Sequence, residues 1–416
     1  MFNNQKKSLY MVIVLFQLLT IIPVHAETPG IQALIKEAIN NNPEIQALEL
    51  KTKAAGLRIS QEKSLPDPMF MIGYQNEGFK ELNLGTAPDS ELMFSLSQTF
   101  IAWGITELKG RMAEVERQSF EYSLDNLRLQ TATNLTELYF DLFLVNKQRE
   151  IIQSKKDLFA KIEQLALSRY ASNAGKQEEV LMAQVEQYML QEQLEMLTQA
   201  NQAKNAMLQA ALGRDNTTDN IISVPVDITA VNESEENLMQ QAFSNAPMLK
   251  EKQSMVEFGL LKAEMSRRDY YADFTVNAGY VYKGSMDPMW NLSVAFPLPL
   301  YANNKQDAAV KETGLDVERA KKEFDAARIM IRAGIKDNMS MITASEKLMI
   351  LYKKGLIPKN RQSFDLMLSG YSTGMTDAIT IISTLKRQKD YEEQYWVQFV
   401  QHEKAIAKIK ELAGLL

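Results

Sequence analysis

The sequence predicts a mostly α-helical fold with a small β part, built twice over. Three observations predict it. Short patterns in the first half of the 416 residues recur in the second. Each half holds a pair of segments in which apolar and polar residues alternate. Long stretches lack both Gly and Pro, of which the chain has only 18 and 12.

The chain opens on an export signal. Lys6 and Lys7 precede an apolar run from Leu9 to Ile22, and Val24, His25 and Ala26 end it on a small residue. The run is shorter than the ~20 residues that span a bilayer, so residues 1–26 read as a cleaved signal peptide. The first repeat is then 27–213, a linker covers 214–233, and the second repeat is 234–416.

The duplication is legible residue by residue. Leu34, Ala38, Asn41, Pro43 and Ile45 return as Leu238, Ala242, Asn245, Pro247 and Leu249, each set opening a helix. Asp67, Gly73 and Tyr74 return as Asp273, Gly279 and Tyr280, and Tyr170 and Gly175 answer to Tyr371 and Gly374. The linker is polar, β-branched and interrupted by Pro225. Each half therefore reads as a helix, two strands, a very long helix, a tight turn and a returning helix.

Strands are predicted at about 68–75, 91–100, 273–282 and 289–298. In the second, Leu92, Phe94, Leu96 and Phe100 alternate with Met93, Ser95, Ser97 and Thr99. The fourth alternates Trp290, Leu292, Val294 and Phe296 with Asn291, Ser293 and Ala295. Such ribbons suit a transmembrane barrel and equally a half-buried soluble sheet. Four strands cannot close a barrel in lipid, where open edges cost several kcal/mol per unpaired group, so a barrel requires several copies of the chain.

The helical hairpins are predicted at 104–212 and 303–415. From Arg111 to Ala174 no Gly or Pro occurs, and Leu135, Leu138, Leu142, Val145, Ile152, Phe159 and Ile162 form a stripe of heptad-like spacing. Leu190, Leu194 and Leu197 supply a matching stripe on the return arm. In the second half Gly314, Gly334 and Gly355 interrupt the pattern, and Pro358 predicts a kink or break.

Composition excludes much chemistry. Cys is absent and the only histidines are His25 and His402, which removes thiol catalysis, disulfides and imidazole-rich metal sites. Acidic residues exceed basic ones by 52 to 46, so nucleic acid is not a partner. No phosphate loop or nucleophile–base pair occurs, and the chain reads as no enzyme with no cofactor. The 22 Met residues read as packing spread along helices, and His402 as structural or exposed.

An exported, duplicated chain of this plan resembles the TolC family of outer-membrane efflux proteins. The resemblance rests on "SLSQTFIAWGITELKG" (Ser95 to Gly110), "PLPLYANNKQ" (Pro297 to Gln306) and "YSTGMTDAITIISTLKRQKDYEEQYW" (Tyr371 to Trp396). "LPDPMFMIGY" (Leu65 to Tyr74) and "LIPKNRQSFDLMLSGYSTG" (Leu356 to Gly374) look closest to its cation-efflux branch. The resemblance implies a homotrimer in outer-membrane lipid. Each chain would give four strands to a 12-stranded barrel, continued by a periplasmic α-helical barrel. It further implies a passive exit duct for an inner-membrane pump of RND type and a periplasmic adaptor, with metal cations as cargo. Drugs, small organic molecules and type I secretion are the alternatives within that reading. A soluble periplasmic coiled-coil scaffold is the alternative of another class.

By the same resemblance the adaptor meets the hairpin tips, here Arg169, Tyr170 and Gly175, then Tyr371, Ser372, Gly374 and Met375. The family's periplasmic gate uses a tyrosine, an arginine and a carboxylate, with two aspartate rings beneath. Tyr371 matches the tyrosine, Thr376 stands at the arginine position, and Thr380 and Ser383 stand at the ring positions. Asp377, Glu178 or Glu179 are the carboxylates near enough to substitute, and a weaker constriction follows.

Overall fold

The computed structural model describes residues 30–214, 221, 227–231 and 233–415. The predicted export signal and most of the predicted 214–233 linker lie outside them. In chain order the elements are α1 (Ile31–Asn41), α2 (Pro43–Lys63), β1 (Met69–Gln75), β2 (Glu91–Phe100), α3 (Ile105–Ala171), α4 (Gln177–Ala211), α5 (Glu235–Asn245), α6 (Pro247–Arg268), β3 (Phe274–Tyr282), β4 (Met289–Ala295), α7 (Gln306–Leu351), α8 (Ile357–Ser372) and α9 (Ala378–Ala413).

Where one opening helix per half is predicted, the chain forms two. Asn42 accepts a hydrogen bond from the Glu44 amide and Pro43 starts α2, because proline lacks the N–H that an interior position would use. Pro247 starts α6 in the same way. Strand β4 ends at Ala295, short of the predicted 298, and Pro297 and Pro299 follow it without amides to pair.

The 67 residues of α3 rise about 100 Å. It packs against α2, α4, α6 and α9 and is the spine of the protomer. Its predicted stripe is buried at Leu135, Leu142, Ile152, Phe159 and Ile162. Around the middle of the shaft Phe140, Phe143, Trp396 and Phe399 meet edge to face or tilted, with centroids 5.5 to 6.5 Å apart.

Gly314 and Gly334 do not interrupt α7. At Gly334 a β-carbon would stand 2.8 Å from a Leu412 methyl, so the missing side chain lets α9 approach. Pro358 does not break the second long arm either. Tyr352–Leu356 forms a π-helical turn and α8 resumes at Ile357. The wider turn lies where the proline ring would otherwise meet the carbonyl four residues back.

All four strands form one antiparallel sheet in the order β1-β2-β3-β4. The register aligns the alternation across it. Phe70, Ile72 and Tyr74 stand opposite Leu96, Phe94 and Leu92; those three face Ala278, Tyr280 and Tyr282; and Ala278 and Tyr280 face Leu292 and Trp290. One face is thus aromatic and aliphatic across every strand. The other carries Ser95, Ser97, Thr99, Asn277, Asn291 and Ser293. Among the described residues no element covers the apolar face: Trp290 is 80% exposed and Ile72 62%. No described helix is long and apolar enough to cross a membrane.

Candidate functional site: the paired hairpin tips

Both hairpins turn by the same device. At the end of α3 the Ala174 amide donates to the Arg169 carbonyl and the Asn173 amide to that of Tyr170. At the end of α8 Met375 donates to Gly370 and Gly374 to Tyr371. These are Schellman caps, which need a residue with positive φ between the helices. Gly374 supplies it at φ 83° and Asn173 at φ 56°.

Gly374 therefore corresponds to Asn173, not to Gly175 as the sequence pairing has it. Gly175 corresponds to Thr376, and its glycine serves close approach: a β-carbon there would stand 2.9 Å from the β-carbon of Arg169. In the other tip the roles are reversed. The position of Arg169 is Gly370, where a β-carbon would stand 2.6 Å from the Thr376 hydroxyl. Each tip has room for one side chain at this contact. The first fills it from α3 and the second from the turn.

Arg169 makes use of that room. Its Nη2 donates to the Ala174 carbonyl at 2.9 Å. Its Nη1 donates to the Tyr371 carbonyl in the other hairpin. Its guanidinium lies 4.6 Å from the centroid of the Tyr371 ring. A cation here also meets the negative end of the α8 dipole.

Tyr371 is fully buried, and its hydroxyl donates to Glu179 Oε2 at 2.8 Å in the first turn of α4. Burial first, and then this bond, push the phenol well above the ordinary tyrosine range, so it remains a neutral donor. A tyrosine, an arginine and a carboxylate do meet at the tips. The arginine is Arg169, from the opposite hairpin, and Thr376 packs on Gly370 instead. No local spacing announces this arrangement, because the cation stands 202 residues from the tyrosine.

Asp377 is exposed in the turn before α9. Its carboxylate is the N-cap of α9 and accepts from the Thr380 amide at 2.7 Å. That backbone bond holds the carboxyl below its usual range. Ser383 donates to the Thr380 carbonyl at 2.9 Å. Glu178 is exposed at the start of α4. Tyr170, Ser372 and Met375 are exposed at the apices, Met375 by 87%.

Above the tips, α4 meets the second hairpin through polar rungs, the first with α8 and the next two with α9. Glu179 takes the Tyr371 hydroxyl, Glu186 pairs with Lys386 at 2.7 Å, and Gln193 accepts from Lys389 at 3.3 Å. These α4 positions recur one heptad apart, on one face of the helix. The contact of α3 with α9 is apolar and more extensive. Higher on the shaft His402 is fully buried, with Nδ1 3.0 Å from Glu403, which also accepts from the Thr229 amide and hydroxyl. His402 thus belongs to the tether of the described linker residues. Among the described residues no group of three His, Asp or Glu is placed to hold a metal ion.

Comparison with known proteins agrees with this architecture. Residues 34–214 match the family model "Outer membrane efflux protein". No curated protein sequence matches the chain. Among solved structures, the outer membrane protein VceC of Vibrio cholerae is 15% identical with a TM-score of 0.78, covering 92% of this chain and 96% of that one. The CmeC outer membrane channel of Campylobacter jejuni is 12% identical with a TM-score of 0.75, covering 92% and 85%. The MtrE outer membrane channel of Neisseria gonorrhoeae, in its open state, is 11% identical with a TM-score of 0.70, covering 93% and 89%. The fold of this chain is that of the outer-membrane efflux channels, and its sequence match to their family model covers residues 34–214.

Proposed function

We propose that the chain is the outer-membrane exit channel of a tripartite efflux system, a homotrimer whose four-stranded sheets close one barrel over a periplasmic tunnel of helices. The observation that carries this reading is the sheet. Its register gathers an uncovered aromatic and aliphatic face, and β1 and β4 leave both its edges open. A soluble scaffold would keep that face in water and those edges unpaired. Threefold closure in lipid satisfies both.

The duct does no chemistry. An inner-membrane pump of RND type and a periplasmic adaptor supply energy and selection, and the adaptor docks on the exposed Tyr170, Ser372 and Met375. Arg169, Tyr371 and Glu179 are the lock of the closed end. Thr380 and Ser383 offer hydroxyls where charged rings would bind cations, so the constriction passes cations with little block. The cargo is metal cations, a reading supported by the segments around Leu65 to Tyr74 and Leu356 to Gly374. Organic solutes are its alternative.

Fractionation and conductance test the proposal together. The protein is expected in the outer membrane as a detergent-stable trimer, forming pores in a planar bilayer. Recovery as a monomer in the soluble periplasmic extract would refute it.

A further inference from the structure

Methionine packing explains buried residues such as Met349, which is 5% exposed between α7 and α9. On the sheet it accounts for part only: Met93 and Met289 flank Val281, which is 6% exposed, but the other methionines there have no such neighbour. Met69 and Met71 on β1, Met93 on β2 and Met289 on β4 share the parity of the serines and asparagines, opposite the aromatic face. Met69 is 68% exposed, and Met71 and Met289 are each 51% exposed. Serine, threonine or asparagine would hydrate better at these three exposed sites, so contact with solvent alone gives no reason for their thioethers.

The register orders them. Met69 lies opposite Ser97, nearest the helices; Met71 lies one step along, opposite Ser95; and Gly73, the next step, lies opposite Met93. Val281 separates Met93 from Met289 in the same row. Successive positions on one face of a strand stand ~6.6 Å apart, and diagonal neighbours ~7–8 Å, within reach of paired methionine side chains. Gly73 contributes by its bareness. A β-carbon there would stand 3.2 Å from the Met93 methyl, so Met93 lies over the bare backbone of β1 at Gly73.

Thioethers are neutral and soft. They hold Cu(I)-like ions and have little affinity for hydrated Na⁺, Mg²⁺ or Ca²⁺. The charges at the loop end of this face, Glu91 and Lys283, pair with each other at 3.5 Å. Selection here thus falls to the sulfurs, not to a field. We infer that Met69, Met71, Met93 and Met289 form a thioether track for soft monovalent metal cations on the lumen face of the barrel. Only the word "lumen" rests on the exit-channel reading; the binding does not.

The test uses the purified full chain in detergent, with silver nitrate in chloride-free buffer as the probe. Methionine oxidation by peroxide is followed residue by residue by mass spectrometry, with and without silver. At silver ten times above its Kd, oxidation of Met71 and Met93 is expected to slow roughly tenfold. Met196 and Met330, exposed on helices, should oxidise at an unchanged rate. The double variant Met71→Leu, Met93→Leu keeps side-chain volume and should retain less silver after desalting than the parent. Equal retention, uniform protection or no protection would overturn the inference. So would protection by an apolar dye but not by silver, which would make the face a lining for organic solutes. A soluble monomer whose methionines silver still protects would sink the exit-channel reading alone. A conducting trimer without protection would sink only the metal track.

Discussion

Arg169 and Tyr371, from opposite halves of the chain, are joined twice: the guanidinium covers the tyrosine ring at 4.6 Å and donates to the tyrosine's own carbonyl. One side chain thereby ties the ends of two hairpins that otherwise share few apolar contacts at α4 and α9.

On the exit-channel reading, removing it should open the end of the duct at the hairpin tips. A charge-assisted hydrogen bond and a ring contact together are worth about 2 kcal/mol, or roughly thirtyfold in an equilibrium. Arg169→Ala is expected to raise open probability in planar bilayers on that scale. Arg169→Lys should recover part of it, since an ammonium keeps the charge but not the planar fork. Unchanged gating in Arg169→Ala would remove this residue from the lock.

The rungs between α4 and α9 predict sensitivity to salt. Lys386 and Glu186 are partly solvated, so ionic strength should weaken their pair. Pore opening in the parent is expected to increase with salt beyond the rise in bulk conductivity. Glu186→Gln should flatten that dependence, and equal slopes for the two proteins would contradict the zipper.

The reciprocal tips give a double-mutant test. Gly370→Ala places a methyl group against the Thr376 hydroxyl and should destabilise the second hairpin by about 1–3 kcal/mol in thermal melts. Adding Thr376→Gly should restore most of the loss, with a coupling energy that independent sites do not show. Gly175→Ala meets the root of a side chain, not its tip, and should have no such rescue short of replacing Arg169.

Acid stability should follow Asp141. Burial works against its charge, but Lys404 and Lys204, the latter at 2.9 Å, hold its carboxyl below the ordinary range. A carboxyl depressed in the folded state contributes stability above its unfolded pKa of about 3.9, and that contribution fades as pH falls further. The melting temperature of the purified protein is expected to drop below about pH 4, less steeply in Asp141→Asn, which should already melt lower at pH 7. Parallel acid limbs for the two proteins would exclude this carboxylate.

At Asp377 the expectation is a cap, not a cation filter. Asp377→Ala should cost about 1 kcal/mol of stability, whereas Asp377→Ser should cost little. Cation selectivity should not change in either variant. A change in selectivity alike in both would restore a ring role for the carboxylate.

Much of the architecture was legible because its signals are periodic. The alternation of Leu92, Phe94 and Leu96 with Met93, Ser95 and Ser97 shows a two-faced strand, and the stripe from Leu135 to Ile162 shows a helix with one buried side. The contacts that make the site are not periodic. Arg169 reaches Tyr371 across 202 residues, and no local spacing announces it. The glycines at the tips were visible, but two physical reasons for glycine look identical in a sequence. Only backbone angles distinguish the positive φ of Gly374 from the tight packing of Gly175. The methionines show the reverse error, for a count along the chain scatters residues that strand pairing brings onto one face.

The middle of the sheet joins β2 to β3, Phe100 opposite Phe274, across the whole first hairpin and the linker. Closing so long a loop is entropically costly and slow. A nascent chain that has finished its first half therefore holds only a two-stranded ribbon, too small to persist alone. On the exit-channel reading, delivery to the lipid must wait until β3 and β4 have been made, and a product truncated before them would be a substrate for proteolysis, not a partial pore.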